Sequence, residues 1–380
     1  MNQAFVAKTF YGLENVLADE LRALGATDID KQNRAVAFRG DQRLLYKANW
    51  MLRSALRIIQ PLAQFTVKGQ EDLYAGARKI PWHEIMSHNS TFAIDPVVRS
   101  THFRHTQFPA YKTKDAIVDC FRDNVGKRPD VDLQFPDFYI NVHIREEDCI
   151  ISLDSSGDSL HKRGYRVRTN EAPINEALAA GLILKTGWDK EQPFLDPMCG
   201  SGTILAEACA MATNSTPFRN RKFFAFKNWK DFDAKLWEEV QEEALDNSKP
   251  LTTQIAGSDI SNRAIKSAEA NLASAGFEGK VQLKDAAFKK IKPPFEGGMI
   301  LTNPPYDERM QLEDAIQFYK EIGDKLKTDF TGFDAWIFSS NIPAMKNIGL
   351  RPSTKFKLYN GGLEARLAHY QIVEGSLEPK

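Results

Sequence analysis

One stretch near the middle of this sequence constrains the fold more than any other feature. Residues 194–203 read FLDPMCGSGT, and the alanine- and leucine-rich residues 204–210 follow them. Since alanine and leucine favour helix, the pattern predicts a strand end, a tight loop and a helix N-terminus. Gly200 and Gly202 can adopt backbone angles closed to other residues, and the first N–H groups of the helix face the loop. The geometry predicts a pocket for a nucleotide-type cofactor, although many α/β proteins use such a turn for packing alone.

Two later segments end in polar residues at predicted strand ends. Residues 255–260 (IAGSDI) read as a strand ending in Asp259, and a carboxylate there commonly holds a ribose diol through charge-assisted hydrogen bonds. Residues 299–306 (MILTNPPY) read as a strand ending in Asn303 and two prolines. The prolines restrict the backbone and remove two N–H donors, so carbonyls are free to accept from a substrate. An amide side chain, bare carbonyls and an aromatic face suit a planar base with an exocyclic amino group.

These motifs resemble those of S-adenosylmethionine-dependent methyltransferases that act on exocyclic amino nitrogens of nucleic-acid bases. More narrowly, the chain is similar to the THUMP-domain RNA guanine-N2 methyltransferases of bacteria, the 23S rRNA family. The segments that carry the resemblance are 196–203 (DPMCGSGT), 303–306 (NPPY), 160–166 (LHKRGYR), 171–173 (EAP) and 359–364 (YNGGLE). NPPY alone does not separate DNA from RNA enzymes. Its combination with LHKRGYR is much more specific.

The resemblance implies an α/β protein with three domains. Residues 1–65 would form a ferredoxin-like α+β adaptor domain, and residues 66–155 a THUMP RNA-binding domain. Residues 156–380 would form a Rossmann-like class I methyltransferase domain, with a mostly parallel sheet and a reversed strand in a terminal hairpin.

Local patterns add detail to this outline. We expect a helical stretch around residues 44–58 that ends before Pro61, and a helix from Ser261, a plausible N-cap, to Gly276, a plausible stop. Half-buried strands are expected at residues 91–94, 138–144, 149–153 and 334–339. Residues 355–359 and 367–373 should form a hairpin through Asn360, Gly361 and Gly362, since Asn-Gly supplies the positive backbone angles of a tight turn.

The resemblance assigns the cofactor, S-adenosylmethionine, to residues at the strand ends: Asp196, Cys199, Gly200, Gly202, Thr203, Asp259, Ile260, Asp285, Ala286 and Asn303. By the family pattern, Asp285 accepts a hydrogen bond from the adenine amino group; its alternative role is to cap the next helix. Relatives commonly carry a basic residue where Asn175 stands and a glycine where Asp307 stands. The resemblance therefore assigns no phosphate contact to Asn175, and Asp307 departs from the family pattern. Glu176 faces the site or is a surface carboxylate.

The catalytic residues that this reading implies are Asn303, Pro304 and Tyr306. Methyl transfer from a sulfonium to nitrogen is an in-line displacement, so the protein needs only to position the reactants and favour a localised nitrogen lone pair. Hydrogen bonds from a guanine amino group to the Asn303 side-chain oxygen and the Pro304 carbonyl would do this. Tyr306 would stack on the base, which must be unpaired or extruded. No covalent intermediate is needed, so Cys199 reads as a small loop filler rather than a nucleophile.

Basic residues that could contact RNA lie in two places. The formal charge is balanced at 50 basic and 50 acidic residues, so a nucleic-acid partner must be met by local patches. Residues 99–128 contain seven Lys or Arg against three Asp, and residues 160–168 contain four cations and no acid. The candidates for phosphate contacts are Arg99, Arg104, Lys112, Lys114, Lys162, Arg163 and Arg166. The alternative for the first group is an ordinary solvated helix face.

An insertion of mixed charge and aromatic residues, 217–249, separates Asp259 from the glycine loop. Asp259 lies 59 residues beyond Gly200, whereas a dinucleotide fold places its acid only about 20 residues on. This spacing counts against a nicotinamide dehydrogenase. The insertion could clamp RNA, but a hydrophobic cap on the domain is the favoured interpretation.

Other features exclude some functional classes. The four cysteines lack a C-x-x-C pair, and His161 lacks metal-ligand companions, so neither a zinc site nor a disulfide framework is indicated. No apolar run is long enough to span a membrane, and we expect a cytoplasmic protein without a metal.

A tRNA guanine or an adenine N6 amino group stays open as a substrate. From a different class, the chain could be an RNA-binding protein with an inactive methyltransferase fold.

Overall fold

The structure is a computed structural model that describes residues 2–103, 105–169, 173–305 and 312–373. It contains two large sheets, one of eight strands in the N-terminal part and one of seven in the C-terminal part. The structure is α/β throughout, as predicted. Among the described residues, no helix combines the length and the apolar character needed to cross a bilayer.

The N-terminal sheet has the strand order β2-β3-β1-β4-β8-β7-β5-β6. Its strands are β1 (Gln3–Lys8), β2 (Thr27–Gln32), β3 (Ala35–Gly40), β4 (Arg57–Thr66), β5 (Thr91–Arg99), β6 (Asp130–Val131), β7 (Phe138–Arg145) and β8 (Asp148–Asp154). Its helices are α1 (Glu14–Ala23), α2 (Gln42–Met51), α3 (Gln70–Arg78), α4 (Trp82–Ile85) and α5 (Phe108–Val125). The strands expected at 91–94, 138–144 and 149–153 are therefore confirmed.

A single strand, β4, joins the two halves of this sheet. It pairs antiparallel with β1 through Ile58 and Ile59, and with β8 from Ile59 to Thr66. The sheet is thus continuous through residue 65, where the sequence analysis places a domain limit.

The helix expected over residues 44–58 is correct only to Met51. β-branched Ile58 and Ile59 instead enter the sheet as part of β4. Pro61 is tolerated inside this strand because the pairing register shifts between Pro61 and Ala63.

The C-terminal sheet has the order β11-β10-β9-β12-β13-β15-β14. Its strands are β9 (Phe194–Asp196), β10 (Ile255–Asp259), β11 (Gln282–Asp285), β12 (Gly298–Thr302), β13 (Phe333–Ser339), β14 (Thr354–Asn360) and β15 (Leu363–Gln371). Its helices are α6 (Glu176–Thr186), α7 (Thr203–Ala212), α8 (Ala234–Asp246), α9 (Asn262–Ser274), α10 (described from Leu312 to Asp329) and α11 (Ile342–Met345). Strands β9 to β13 pair in parallel and β15 runs antiparallel to its neighbours, which confirms the mostly parallel sheet with one reversed strand.

Two of the predicted boundaries in this half hold in detail. The Ser261 side chain caps α9 by accepting a hydrogen bond from the Ala264 N–H, and Gly276 follows the helix with φ of 89°.

In the terminal hairpin, Asn360 pairs with Leu363, so the turn consists of Gly361 and Gly362 alone. The prediction that β15 begins near residue 367 and that Asn360 lies in the turn is therefore wrong. Gly361, with φ of 60°, supplies the positive angle.

The insertion 217–249 packs onto the N-terminal part rather than projecting from the surface. Phe218, Phe224 and Phe226 are at most 1% exposed, and Phe226 stacks on Tyr46 of α2 with ring centroids 4.7 Å apart. Arg43 of α2 pairs with Glu239 and Glu243 of α8. The insertion is therefore a hydrophobic cap, but its buried aromatic rings belong to the core of the N-terminal part and not to that of the domain that carries it.

Candidate functional site

The polar residues singled out in the sequence meet at one edge of the C-terminal sheet. Gly257 of β10 pairs with Asp196 of β9, and Asp259 of β10 pairs with Asp285 of β11. Asn303 directly follows β12, which pairs with β9 on its other side. Since all four strands are parallel, their carboxyl ends face the same way. The chain reverses its winding direction between β9 and β12, and ligands bind at such switch points in α/β sheets.

The glycine loop is shaped by packing at one glycine and left open at the other. Gly202 has φ of 78°, and a Cβ added there would lie 2.9 Å from the Ala268 Cβ of α9. Gly200 has φ of 54°, and a Cβ there would meet no heavy atom within 4 Å. The loop therefore needs glycine at 202 to approach α9, and it leaves free space beside Gly200 for a ligand to approach the main chain.

Asp259 holds the glycine loop in place. Its Oδ2 accepts a hydrogen bond from the Gly200 N–H over 3.0 Å, and its Oδ1 accepts one from the Ser261 N–H over 2.9 Å. Next to it, the Cys199 N–H donates to the Ser258 carbonyl. Each carboxylate oxygen keeps a lone pair, so the side chain can still accept from a ligand hydroxyl. The neighbouring Ile260 side chain is 76% exposed.

Asp196 is the buried member of the group. It is 1% exposed, and its Oδ1 accepts hydrogen bonds from the Thr302 hydroxyl and the Met198 N–H. Burial raises the pKa of its carboxyl to about 7, against the effect of these hydrogen bonds and with a smaller contribution from the charge of Asp259. The side chain ties the end of β9 to the end of β12.

Cys199 lies inside the loop and is 7% exposed. Burial raises the pKa of its thiol well above the usual value, with the nearby carboxyls of Asp196 and Asp259 adding to the shift. Because a thiolate is the reactive form, this thiol is inert at neutral pH. The structure agrees with its interpretation as a loop filler.

Asp285 and Ala286 lie at the outer side of the same edge. The exposed Asp285 carboxylate accepts a hydrogen bond from the Asn262 side-chain amide over 2.8 Å, and the Ala286 N–H donates to the Asp259 carbonyl. The short 3-10 turn that follows, Phe288–Lys290, has no side-chain cap. The helix-cap alternative for Asp285 is therefore wrong.

Asn303 carries an unsatisfied acceptor. Its side-chain Oδ1 is buried and has no hydrogen-bond partner within the described residues. The following Pro304 is buried and cannot donate from its nitrogen. An unpaired buried oxygen costs about 1–3 kcal/mol, so native proteins keep few of them without a function. The third predicted catalytic residue, Tyr306, and its neighbour Asp307 lie outside the described residues.

Arg166 connects the segment before the catalytic part to the glycine loop. Its Nε donates to Glu176 over 2.9 Å, and its Nη2 donates to the Thr203 Oγ1 over 3.1 Å and to the Ile174 carbonyl. Glu176 is 6% exposed, so its interpretation as a surface carboxylate is wrong. Asn175 caps α6 with its side-chain oxygen.

The RNA contact predicted for Arg163 is not supported and must be corrected. Its side chain is fully buried, donates to Glu207 of α7 and to the carbonyls of Leu160 and Arg53, and lies 4.7 Å from the Phe218 ring centroid. An internal guanidinium with these partners cannot reach a phosphate. Lys162, one residue earlier, is exposed and lies 3.1 Å from Asp158.

Three other basic candidates, Arg99, Lys112 and Lys114, lie on the N-terminal sheet and α5. The Arg166 guanidinium, by contrast, is engaged internally by Glu176, Thr203 and the Ile174 carbonyl. Arg99 is exposed at the end of β5. Lys112 and Lys114 line a cleft of about 530 Å³, together with Arg122 and Arg128. The cleft also contains acids, and Lys114 lies 2.9 Å from Asp115. Arg104 lies outside the described residues, and the RNA contacts of the whole group stay predictions.

The sequence analysis missed Asn271. This residue of α9 is 1% exposed; its Oδ1 accepts from the N–H groups of Val167 and Arg168, and its Nδ2 donates to the carbonyls of Arg168 and Ser201. One amide thus joins α9, the segment after LHKRGYR and the glycine loop. A polar residue on the buried face of a helix is a signal that could have revealed it.

No cluster of three or more metal-ligating side chains occurs in the described ranges. The chemistry of the site is that of carboxylates, an amide and backbone groups around a glycine loop.

Comparison with protein-family models covers nearly the whole chain. The RMKL-like methyltransferase domain matches residues 163–369, more than half of the chain. The chain belongs to the RMKL-like methyltransferase family. A THUMP domain matches residues 68–154, and an RlmL ferredoxin-like domain matches residues 4–59.

Individual relatives agree with this family. The chain is 39% identical to the Synechocystis sp. protein slr0064, over 97% of this chain and 96% of that protein. The name of that protein assigns it provisionally to the RNA methyltransferases. It is 38% identical to the ribosomal RNA large subunit methyltransferase K/L of Cellvibrio japonicus, over 95% of this chain and 50% of the relative. The chain therefore spans about half the length of the K/L relatives.

Solved structures share the complete architecture of this member of the RMKL-like family. The crystal structure of SMU.472 complexed with SAH superposes with a TM-score of 0.89 at 30% identity, covering 99% of both chains. A Listeria monocytogenes protein described as "a predicted N6-adenine-specific DNA methylase" superposes with a TM-score of 0.87 at 28% identity, over 98% of this chain and 97% of that one.

Proposed function

We propose that this protein transfers a methyl group from S-adenosylmethionine to the exocyclic N2 amino group of a guanine in large-subunit (23S) ribosomal RNA. The methyltransferase family, the THUMP domain and the names of the K/L relatives support an RNA substrate. The buried, unpartnered Oδ1 of Asn303 is the observation that carries the assignment of the reacting group.

The strand-end residues fit the proposed cofactor, and the SAH bound by SMU.472 supports that choice. The space beside Gly200 lets a ligand approach the loop backbone, and Asp259 keeps free lone pairs for a ribose diol. Asp285, exposed on the adjacent strand, would accept from the adenine amino group. When bound, the cofactor supplies an activated methyl group on a good leaving group.

The role of the protein is then to hold the nitrogen that receives the methyl group. The amide oxygen of Asn303 and the carbonyl of Pro304 would each accept one N–H of the amino group, which fixes the nitrogen and favours a localised lone pair. The otherwise unpaired Asn303 oxygen gains its hydrogen bond only when substrate is present. Stacking on Tyr306 would help to offset extrusion of the base, at roughly 1–3 kcal/mol per stacked base.

A different amino group is the main rival. The same acceptors could hold adenine N6, and the description of the Listeria relative favours that group for that protein. A guanine in tRNA would present the same chemistry as one in ribosomal RNA.

Labelled methyl transfer followed by nucleoside analysis separates these candidates. The purified protein is incubated with labelled S-adenosylmethionine and with 23S rRNA, ribosome precursors, tRNA or DNA, and the modified nucleosides are identified. We expect N2-methylguanosine in 23S rRNA. Label in N6-methyladenine or only in tRNA would select a rival, and no transfer to free RNA, ribosome precursors or DNA would favour an inactive RNA-binding protein. The Asn303→Ala variant serves as the control for a contaminating enzyme.

A further inference from the structure

The terminal hairpin of the C-terminal sheet extends past the edge at which the candidate catalytic site lies. Ser339, the last residue of β13, pairs with Arg366 of β15, and the hairpin continues for three more residues to the Asn360–Leu363 pair. At about 3.4 Å per residue, its tip lies roughly 10 Å beyond the carboxyl end of β13. Strand β12, which Asn303 follows, is the other neighbour of β13. The tip therefore lies on the side of Asn303 away from the proposed cofactor residues.

Tyr359 at this tip meets Tyr11 of the N-terminal part. The two ring centroids are 5.4 Å apart and the rings are nearly perpendicular. The carbonyl of Gly12 accepts a hydrogen bond from Lys185 Nζ over 3.0 Å, and a Cβ added to Gly12 would lie 2.7 Å from the Lys357 carbonyl. Gly12 thus holds the two parts together here, whereas Tyr11 keeps 38% of its surface exposed and Tyr359 is only half-buried.

Two exposed cations flank the Tyr359 ring. The Arg34 guanidinium carbon lies 5.7 Å from its centroid and the Lys357 Nζ lies 5.6 Å from it. Lys357 and Arg366 both pair with Glu364, so two cations share one acid. Arg34 forms no ion pair with any acid in the described ranges. The surface around the two rings therefore carries an excess of positive charge.

The backbone of Arg34 indicates that its side chain has a use at this place. The residue lies in the turn between β2 and β3 with φ of 58°, where glycine or asparagine is usual. Its main-chain N–H donates to the Glu14 Oε1 over 3.0 Å, a contact that any residue except proline could make. A conformation that arginine rarely adopts thus presents a guanidinium beside Tyr359.

We propose that this surface, formed by Tyr11, Arg34, Lys357 and Tyr359, binds the RNA strand next to the base that is methylated. An unpaired base of that strand lies against an exposed tyrosine ring, and the two cations contact phosphates. The hairpin strands lie two and three positions from β12 in the sheet, about 10–15 Å away at roughly 4.8 Å per strand. That distance corresponds to a few nucleotides from a base held at Asn303. The inference rests on the proposed RNA substrate, but not on which base is methylated.

Ultraviolet crosslinking to a 23S rRNA transcript tests the location directly, since RNA bound elsewhere on the protein gives adducts on other peptides. After nuclease and trypsin digestion, mass spectrometry identifies the peptides that carry a nucleotide. Tyr11 lies in the tryptic peptide of residues 9–22 and Tyr359 in that of residues 358–366. We expect adducts on at least one of these two peptides in the wild-type protein.

The double variant Arg34→Asn/Lys357→Thr removes both cations with residues that suit each backbone, because asparagine tolerates a positive φ and threonine favours a strand. Lys235→Gln/Lys280→Gln is the matched control, since both lysines are exposed and neither forms an ion pair within the described part of the chain. In filter binding across a salt series, the double variant should lower the slope of log affinity against log salt by about one to two. The control should keep the wild-type slope, and both variants should bind S-adenosylhomocysteine like the wild type.

These outcomes separate the inference from the proposed function. Adducts on the two peptides without any methyl transfer would support the surface and leave the methylation reaction unsupported. Methyl transfer to guanine with adducts only on other peptides would support the reaction and overturn the surface. A wild-type slope in Arg34→Asn/Lys357→Thr would also mean that the proposal is wrong.

Discussion

The hydroxyl of Thr302 donates a hydrogen bond to the Oδ1 of Asp196 over 2.9 Å, and both side chains are almost fully buried. The two residues end β12 and β9, the strands between which the sheet changes its winding direction. This contact holds together the two strand ends that carry the glycine loop and Asn303. An ionisable carboxyl is therefore part of the framework beneath the candidate site.

The first prediction concerns the pH dependence of stability at Asp196. In the unfolded chain its pKa is about 4, whereas in the folded protein burial raises it to about 7. Between these values the folded protein holds a proton that the unfolded chain has released, so the free energy of unfolding falls as pH rises from about 4 to about 7. Above about pH 7 both states are ionised and the loss stays constant.

Asp196→Asn keeps the side-chain oxygen that Thr302 and Met198 use but cannot ionise. As pH rises from about 4 to about 7, we expect the free energy of unfolding of this variant, relative to that of the wild type, to increase by up to a few kcal/mol. The increase corresponds to about 1.4 kcal/mol per pKa unit. Denaturant unfolding at several pH values, without cofactor, measures the difference. Asp246→Asn, on the exposed end of α8, should follow the wild-type curve. Parallel curves for Asp196→Asn and wild type would contradict the prediction.

A second prediction separates chemistry from binding at Asn303. Asn303→Ala removes the buried, unpartnered oxygen that is proposed to accept the amino N–H, so methyl transfer should fall about 100-fold or more, by analogy with the loss of one preorganised polar group in other active sites. Cofactor affinity, measured by calorimetry with S-adenosylhomocysteine, should stay close to that of the wild type. If Asn303→Ala turns over as fast as the wild type, the Asn303 side chain does not have the proposed role in methyl transfer.

A third prediction reverses that pattern at Asp259. Asp259→Ala removes the acceptor of the Gly200 N–H and the proposed ribose contact together, so cofactor affinity should fall roughly tenfold to a hundredfold. Turnover at saturating cofactor should be affected less. Asp259→Asn retains one oxygen and should give an intermediate affinity. Equal cofactor affinity in the alanine variant and the wild type is the outcome that would exclude Asp259 from the site.

Sequence patterns predicted the parts of the site that local chemistry determines. The strand, the loop and the helix around Gly200 follow from glycine spacing and helix propensity, and the start of α9 at Ser261 follows from capping. Residues whose partners are distant in sequence were harder to assign. Arg163 lies in a run of cations, and its partner Glu207 is 44 residues away.

The sequence did contain signals for the buried role of Arg163 and for Asn271, which the sequence analysis missed. Glu207 is the only charged residue in α7, which is otherwise apolar, and a lone acid in such a helix indicates a buried partner. Asn271 occupies a position on the buried face of α9, between Ala268 and Leu272. Helical periodicity identifies that face, but only the tertiary structure shows that its amide meets Ser201 and residues 167–168.

The last prediction compares two neighbouring cations with opposite roles. Arg163 is buried against Glu207, so Arg163→Met removes the guanidinium that donates to this internal carboxyl and leaves Arg53 as its buried counter-charge. We expect the free energy of unfolding to fall by about 3 kcal/mol, the lower end of the range for breaking a buried pair. Lys162 is exposed, and its surface contact with Asp158 contributes little to stability. Lys162→Ser should therefore unfold like the wild type.

The two substitutions should have the opposite order of effects on RNA binding, where Lys162→Ser matters and Arg163→Met does not. If Lys162 contacts a phosphate, Lys162→Ser weakens RNA binding and lowers the slope of log affinity against log salt by about one. Arg163→Met, measured at a temperature where it is folded, should keep the wild-type slope because no phosphate can reach residue 163. Filter binding across a salt series, with unfolding followed by circular dichroism, measures both quantities. A reduced slope in folded Arg163→Met would mean that this guanidinium leaves the interior when RNA binds, which the contacts with Glu207 and the backbone carbonyls of Leu160 and Arg53 argue against.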